Sequence, residues 1–261
     1  MSNYRFLSIP SFVLTGSILL VPLLGLTQER VDFTGYWVSV ISEDWRWRMV
    51  VPARGDYASI PIGAEGRRVA DLWDPDNIGP DEACKPYGAA GIMRVPGRLH
   101  ITWENESTLR IDTDAGMQTR YFHLNGQTPI EMNPTLQGHS VAQWAVPLGH
   151  SSAAENNLSL GAGSRVRDFD VTQLPSQSRT LEVKTTHMLP AYLRWNGVPY
   201  SADAALAEYY DLIERPDGNT WFVVTTVVDD PLYLDQPYVT SANFKKESDD
   251  SRWNPVPCLE Q

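Results

Sequence analysis

The sequence predicts an all-β protein: an antiparallel β-barrel with a long inserted loop and one or two short helices. Three observations carry that expectation. Apolar and polar residues alternate with period two along most of the chain, while helical periodicity is scarce. Several of these runs are joined by residues suited to tight turns. A long antiparallel meander also leaves exposed edges, which closure into a barrel removes.

In chain order, Tyr36 to Val40, Trp45 to Val51, Arg98 to Trp103, Thr108 to Thr113 and Gln118 to Leu124 read as strands. Ser140 to Ala145, Thr180 to Met188, Leu206 to Glu214 and Thr220 to Val228 follow in the same pattern. As a strand, SEDWRWRMVVP (Ser42 to Pro52) sends Trp45 and Trp47 to one face and Arg46 and Arg48 to the other. Burying unpaired guanidiniums is costly. The two indoles are therefore expected to line the interior, unless carboxylates such as Asp112 or Asp114 answer the arginines.

Turn chemistry supports the hairpins. In DAGM, Gly116 permits a positive φ, and in RPDGN, Pro216 fixes φ ahead of Asp217 and Gly218. GAEGRRVADLWD spaces Val69, Leu72 and Trp73 at helical intervals, and SADAALAEYYDL opens as a turn before its strand. The Ser-, Gly- and Asn-rich stretch from His150 to Ser178 reads as a long insertion or lid. With no internal repeat and no linker composition, residues 28–261 read as a single barrel domain.

The chain has a formal net charge of -11 and no basic stripe, which argues against nucleic acid as a partner. Nine Trp, eleven Tyr and seven Phe favour packing or binding through aromatic surface. Residues 1–27 pair Arg5 with an apolar stretch from Phe12 to Leu26 and the small residues Gly25 and Thr27, the pattern of an export signal. Either it is cleaved or it stays as a membrane tether, which would then be the protein's contact with a membrane. The expected location is periplasmic or secreted. There Cys84 and Cys258 meet oxidising conditions and are expected to pair, stabilising the fold by roughly 5 kcal/mol at most in the chain-entropy model.

DFTGYWVSV, with Gly35, Tyr36 and Trp37, resembles the G-x-W signature that opens lipocalins and related calycin barrels. The resemblance implies a barrel plugged at one end by Trp37, with Arg252 as the counterpart of the late arginine that packs on that indole. It further implies a cavity for small hydrophobic molecules or, as in a few relatives, for rearrangement, hydration or decarboxylation. PTLQGHSVAQW and TTHMLPAYLRWNGVPYS resemble blocks in exported bacterial proteins of unassigned activity.

Two regions carry candidate chemistry. The hairpin TLRIDTDAGMQTRYFHL sets Arg110 opposite Tyr121 and Asp112 opposite Thr119, so Arg110, Asp112, Tyr121 and His123 share one face. Facing a lumen, they form a catalytic set with His123 exchanging protons, Asp112 or Tyr121 supporting it and Arg110 stabilising an oxyanion. Facing water, they are a solvated outer surface over Leu109, Ile111 and Phe122. His100, His123 and His187 each fall on a strand, but no HxH or HExxH spacing supports a metal site, and no metal or cofactor is expected. The second region, LPAYLRWNGVPYS, places Tyr192, Arg194, Trp195 and Tyr200 in an aromatic loop suited to a barrel mouth. With Trp45, Trp47 and His187 these are the expected ligand-binding residues.

The functional expectation is an exported lipocalin-like barrel that binds a small hydrophobic or aromatic molecule. A cofactor-free isomerase, lyase or hydratase on the same scaffold is the alternative, and a structural or envelope-interaction protein is the third reading. Oligomeric state is left open.

Overall fold

The computed structural model describes residues 31–124, 126, 131–145 and 180–258. The expected export signal and the expected insertion at 150–178 lie outside the described residues. From Val31 onward the chain forms one compact unit. It runs through β1 (Gly35–Val40), four short helices α1 (Trp45–Arg48), α2 (Ala64–Ala70), α3 (Pro80–Ala83) and α4 (Ala89–Ile92), then β2 (Arg98–Asn105), β3 (Thr108–Thr113), β4 (Ala115–Gly116), β5 (Thr119–Leu124) and β6 (His139–Trp144). Next come β7 (Thr180–Thr186), β8 (Ala191–Arg194), β9 (Val198–Tyr200), β10 (Ala205–Glu214), β11 (Thr220–Asp229), β12 (Tyr238–Lys246) and β13 (Val256–Pro257).

Nine of these strands close a barrel in the order β1-β12-β11-β10-β7-β6-β5-β3-β2. Apart from the short strands outside the barrel, neighbours around it are neighbours along the chain, and the last barrel strand, β12, closes back onto the first, β1. An odd number of strands cannot be antiparallel all the way round, so one adjacent pair must be parallel. That pair is β5 and β6, aligned from Phe122↔Ser140 to Leu124↔Ala142. The intervening residues 125–138 are long enough to return the chain along the barrel. The sheet is thus antiparallel except at one seam.

The alternating pattern buries one face of each strand. Leu99, Ile101, Leu109, Ile111, Phe122, Leu181, Val183, Tyr210, Phe222, Val224 and Phe244 fill the interior. At one end Trp37 is fully buried and donates from Nε1 to the carbonyl of Phe33 at 2.9 Å. Phe33 in turn stacks on Trp144 and meets Phe222 edge-on. Trp37 therefore closes this end. The cation over its ring is Lys246, at 5.3 Å, while Arg252, the counterpart expected from the lipocalin resemblance, is exposed.

The other end carries a cap. It is built from the α1–α4 segment between β1 and β2, the β8–β9 hairpin between β7 and β10, and the loop between β11 and β12. Tyr57, Ile60, Ile62, Ala89, Met188, Leu193, Val198, Tyr200, Leu206 and Tyr238 form its own apolar cluster. The expected Trp45 to Val51 strand is not there. Its first residues form α1, entered through Asp44 in the left-handed region at φ 52, and the rest is loop. The reason is topological: both edges of β1 are taken by β2 and β12, so a closed barrel offers this segment nothing to pair with. The sequence reading also missed β12, where Thr240, Ser241 and Asn243 dilute the alternation of Tyr238, Ala242 and Phe244.

After β12 the tail returns along the outside. Trp253 packs against Tyr36 and His100, Val256 donates to the Asp114 carbonyl, and β13 pairs with β4. The Cys84–Cys258 disulfide then ties the tail to the cap across 174 residues. Gly116 is required at this junction: it has φ +76, and the Tyr87 ring lies where a Cβ would stand. Replacing both cysteines with serine is expected to lower stability by about 2–5 kcal/mol, read from urea denaturation. An unchanged midpoint would contradict this account of the tail.

Candidate functional site

The barrel wall and the cap each carry a distinct set of polar groups. The hairpin register is as expected: Arg110 pairs with Tyr121 and Asp112 with Thr119. Leu109, Ile111 and Phe122 take the inward positions, so Arg110, Asp112, Tyr121 and His123 point outward. Arg110 Nε lies 2.9 Å from Asp112, Thr119 Oγ1 donates to the same carboxylate at 2.6 Å, and Tyr121 is 42% exposed. His123 stacks on His139, with ring centroids 4.9 Å apart. This is a solvated outer face, not a lumenal catalytic set. His100 also looks outward, stacked on Tyr36, and His187 sits just beyond β7 at φ 56 with Nδ1 2.9 Å from the Thr186 hydroxyl. The three strand histidines do not converge. Among the described residues no group of three His, Cys, Asp or Glu is placed to hold a metal ion.

The lumen instead holds a charge pair that the sequence reading missed. Arg120 and Glu208 are both fully buried and meet in a two-bond fork at 3.0 and 2.6 Å. Tyr210 donates to Glu208 at 3.2 Å, Arg120 Nη2 donates to Thr185 Oγ1 at 3.3 Å, and the Thr185 hydroxyl lies 2.7 Å from that of Ser140. Burial works against the Arg120 charge, but Glu208 more than offsets it and holds the guanidinium above its ordinary pKa. Burial, reinforced by Glu208, pushes the Tyr210 phenol well up, so it remains a donor. A sequence signal existed. Glu208 interrupts the buried alternation Leu206, Tyr210, Leu212, and Arg120 interrupts that of Phe122 and Leu124, so two opposite charges sit on two inward faces.

At the cap, a recess of about 390 Å³ opens between the β8–β9 hairpin and the α2–α3 segment. Trp73, Tyr192, Tyr200 and Tyr233 give it aromatic walls, with Val69 and Leu72 at one side and Asp74, Glu82 and Lys85 at its polar edge. The Trp73 ring can lie against the hairpin because residue 197 is glycine, with φ +75 and Trp73 Cγ 2.1 Å from where a Cβ would be. Tyr192 donates to Glu82 at 3.3 Å, and Lys85 pairs with Glu82 at 2.9 Å while lying 5.4 Å from the Tyr192 ring centre. Burial, with Glu82 beside it, pushes the Tyr192 phenol up.

Of the expected ligand-binding residues, Tyr192 and Tyr200 thus line this recess. Trp195 is beside it, in a smaller recess that shares Trp73, Glu82 and Tyr192, and packs edge-on against Tyr87. Arg194 is buried under the hairpin, donating to the carbonyls of Ala58 and Asp56 and lying 5.0 Å from the Trp47 ring centre. Trp47 donates to the Asp56 carboxylate at 3.1 Å, whereas Trp45 is 65% exposed. Neither indole lines the lumen. Carboxylates do answer the arginines, but they are Asp56 for Arg46 and Glu43 for Arg48, not Asp112 or Asp114. Asp114 instead accepts from the backbone of Arg98 and Ala115.

No protein-family model, curated protein or solved structure matches this chain.

Removing one partner of the lumenal pair leaves a buried charge without its counterion. Arg120→Met is expected to cost about 3–5 kcal/mol in urea denaturation, and Arg120→Met with Glu208→Leu to recover most of that loss. A double variant no better than the single one would show that the pair's role is not mutual neutralisation.

Proposed function

We propose that this protein is an extracytoplasmic binding module that holds a small aromatic or hydrophobic molecule in the cap recess rather than in the lumen. The observation that carries the reading is a preformed pocket of about 390 Å³, within the range of small-molecule sites, with aromatic walls from Trp73, Tyr192 and Tyr233, the lining Tyr200 being fully buried. The lumen, by contrast, is packed with Trp37, Phe122, Tyr210, Phe222 and Phe244 around the Arg120–Glu208 pair. Extracytoplasmic residence is supported by the disulfide and by the export pattern at residues 1–27. No helix among the described residues is long and apolar enough to cross a membrane. An isomerase, lyase or hydratase draws no support from the outward placement of Arg110, Asp112, Tyr121 and His123.

In this reading Trp73 and Tyr192 supply rigid faces for a planar ligand, and the neutral phenol of Tyr192, fixed by Glu82, sets its orientation. The ligand is to be identified by native mass spectrometry of the purified protein and its affinity measured by calorimetry. Tyr192→Ala is expected to weaken binding at least about tenfold, roughly 1.4 kcal/mol. Because this side chain is half-buried at the rim, the melting temperature should change little. A ligand that binds Tyr192→Ala as tightly as the native protein occupies another place, and the proposal fails.

A further inference from the structure

Next to the aromatic recess, three arginines gather beneath the β8–β9 hairpin. Arg48, Arg94 and Arg194 are 6%, 8% and 5% exposed and line a recess of about 10 Å³ together with Trp47, Trp195 and Pro86. That is the space of one water-sized body. Glu43 answers Arg48, Asp44 answers Arg94 at 2.7 Å, and Asp56 answers Arg46 at 3.2 Å. Arg194 makes its hydrogen bonds to neutral carbonyls. Asp56 is shared between the exposed Arg46 and Arg194, so the three buried guanidiniums meet Glu43, Asp44 and a carboxylate already engaged by a fourth arginine. Two buried donors, Arg48 Nη2 and Arg94 Nη1, have no hydrogen-bond partner among the described residues. Unpaired buried donors are expensive until an acceptor meets them, and between neighbouring cations a negative acceptor also relieves their mutual repulsion.

We propose that this recess is an anion site, taking a halide or one oxygen of a carboxylate or phosphate group between the guanidiniums, with Trp47 and Trp195 as its apolar walls. The chemistry suits two sources. A free halide, or one oxygen of a free oxyanion, matches the small volume. The carboxylate end of a longer aromatic ligand fits the layout, because the recesses share residues in sequence: Tyr192 and Trp73 link the large one to its neighbour, and Trp195 and Pro86 link that neighbour to the arginines. The first source is independent of the proposed function and the second rests on it. Burial, with Arg94 contributing, holds the Arg48 guanidinium below its ordinary pKa against the pull of Glu43 and Asp44.

The test is titration of the purified protein with chloride, inorganic phosphate, acetate and benzoate, followed by tryptophan fluorescence and melting temperature. The native protein is compared with Arg94→Gln, Arg194→Gln and Tyr192→Ala. A saturable response to chloride, phosphate or acetate that weakens at least tenfold in the arginine variants and survives in Tyr192→Ala supports a free-anion site. A response to benzoate alone, lost in both Arg194→Gln and Tyr192→Ala, supports the carboxylate end of a longer ligand. Arg94 is tied to Asp44, so Arg194→Gln carries the test if Arg94→Gln does not fold. No saturable response in the native protein, or one equal in Arg194→Gln, overturns the site whatever the outcome for the aromatic recess.

Discussion

Nine strands impose a parity constraint from which much of the architecture follows. With antiparallel neighbours elsewhere, closure is possible only if one adjacent pair runs the same way, and β5 and β6 supply it. A parallel pair cannot be joined by a tight turn, so the chain between them must travel from one end of the barrel to the other. That return brings Leu136 against the cap cluster and Thr135 into a bridge with Met188. Closure also denies an edge to every other segment. The residues after β1 and after β7 are therefore left to fold over the open end as short helices and a hairpin, and the recesses lie in this covering layer, not in the sheet.

Inside the barrel, the fork between Arg120 and Glu208 stands where an all-apolar filling would be simpler. Desolvating both charges costs several kcal/mol, and attraction in a dry interior repays that only with good geometry and satisfied neighbours. Here the fork is two-bonded, with Tyr210 and Thr185 taking up further positions on the two groups. Such a pair fixes register. Sliding β10 by one residue would turn Glu208 outward and leave Arg120 alone in the lumen, a penalty much larger than the loss of one apolar contact.

Period-two alternation made most of the barrel legible, including the pairing of Arg110 with Tyr121 and of Asp112 with Thr119. It could not say which side of the hairpin was interior by polarity alone, because β5 carries Arg120 on the same side as Phe122. WRWR misled for a related reason: alternation is a local property, whereas strand formation needs a free partner, and the partner was already taken. Tyr192 and Tyr200 were readable as a mouth because aromatic residues around Asn196 and Gly197 mark a rigid turn. Their companions Trp73, Glu82 and Lys85 were not, since they lie more than a hundred residues earlier and meet the hairpin only through the cap.

The cap's helices are too short to hold themselves, α2 at seven residues being the longest. Their order must come from ties to the rest of the molecule. Asn196 Nδ2 donates to the carbonyls of Ala53 and Asp56, Gly63 donates to the Tyr233 carbonyl, and Asp235 donates to that of Pro61. Asp230, buried beside them, accepts from the Ser201 hydroxyl and from the backbone of Ser201 and Leu232, so it is a structural cap and not a free acid. The disulfide enters between Glu82 and Lys85, the two residues that fix Tyr192 at the edge of the aromatic recess. One covalent link thus both anchors the tail and steadies a wall of the proposed binding site. A recess assembled from distant loops can be preorganised only if such ties restrict the loops before a ligand arrives, because order imposed on binding is subtracted from affinity.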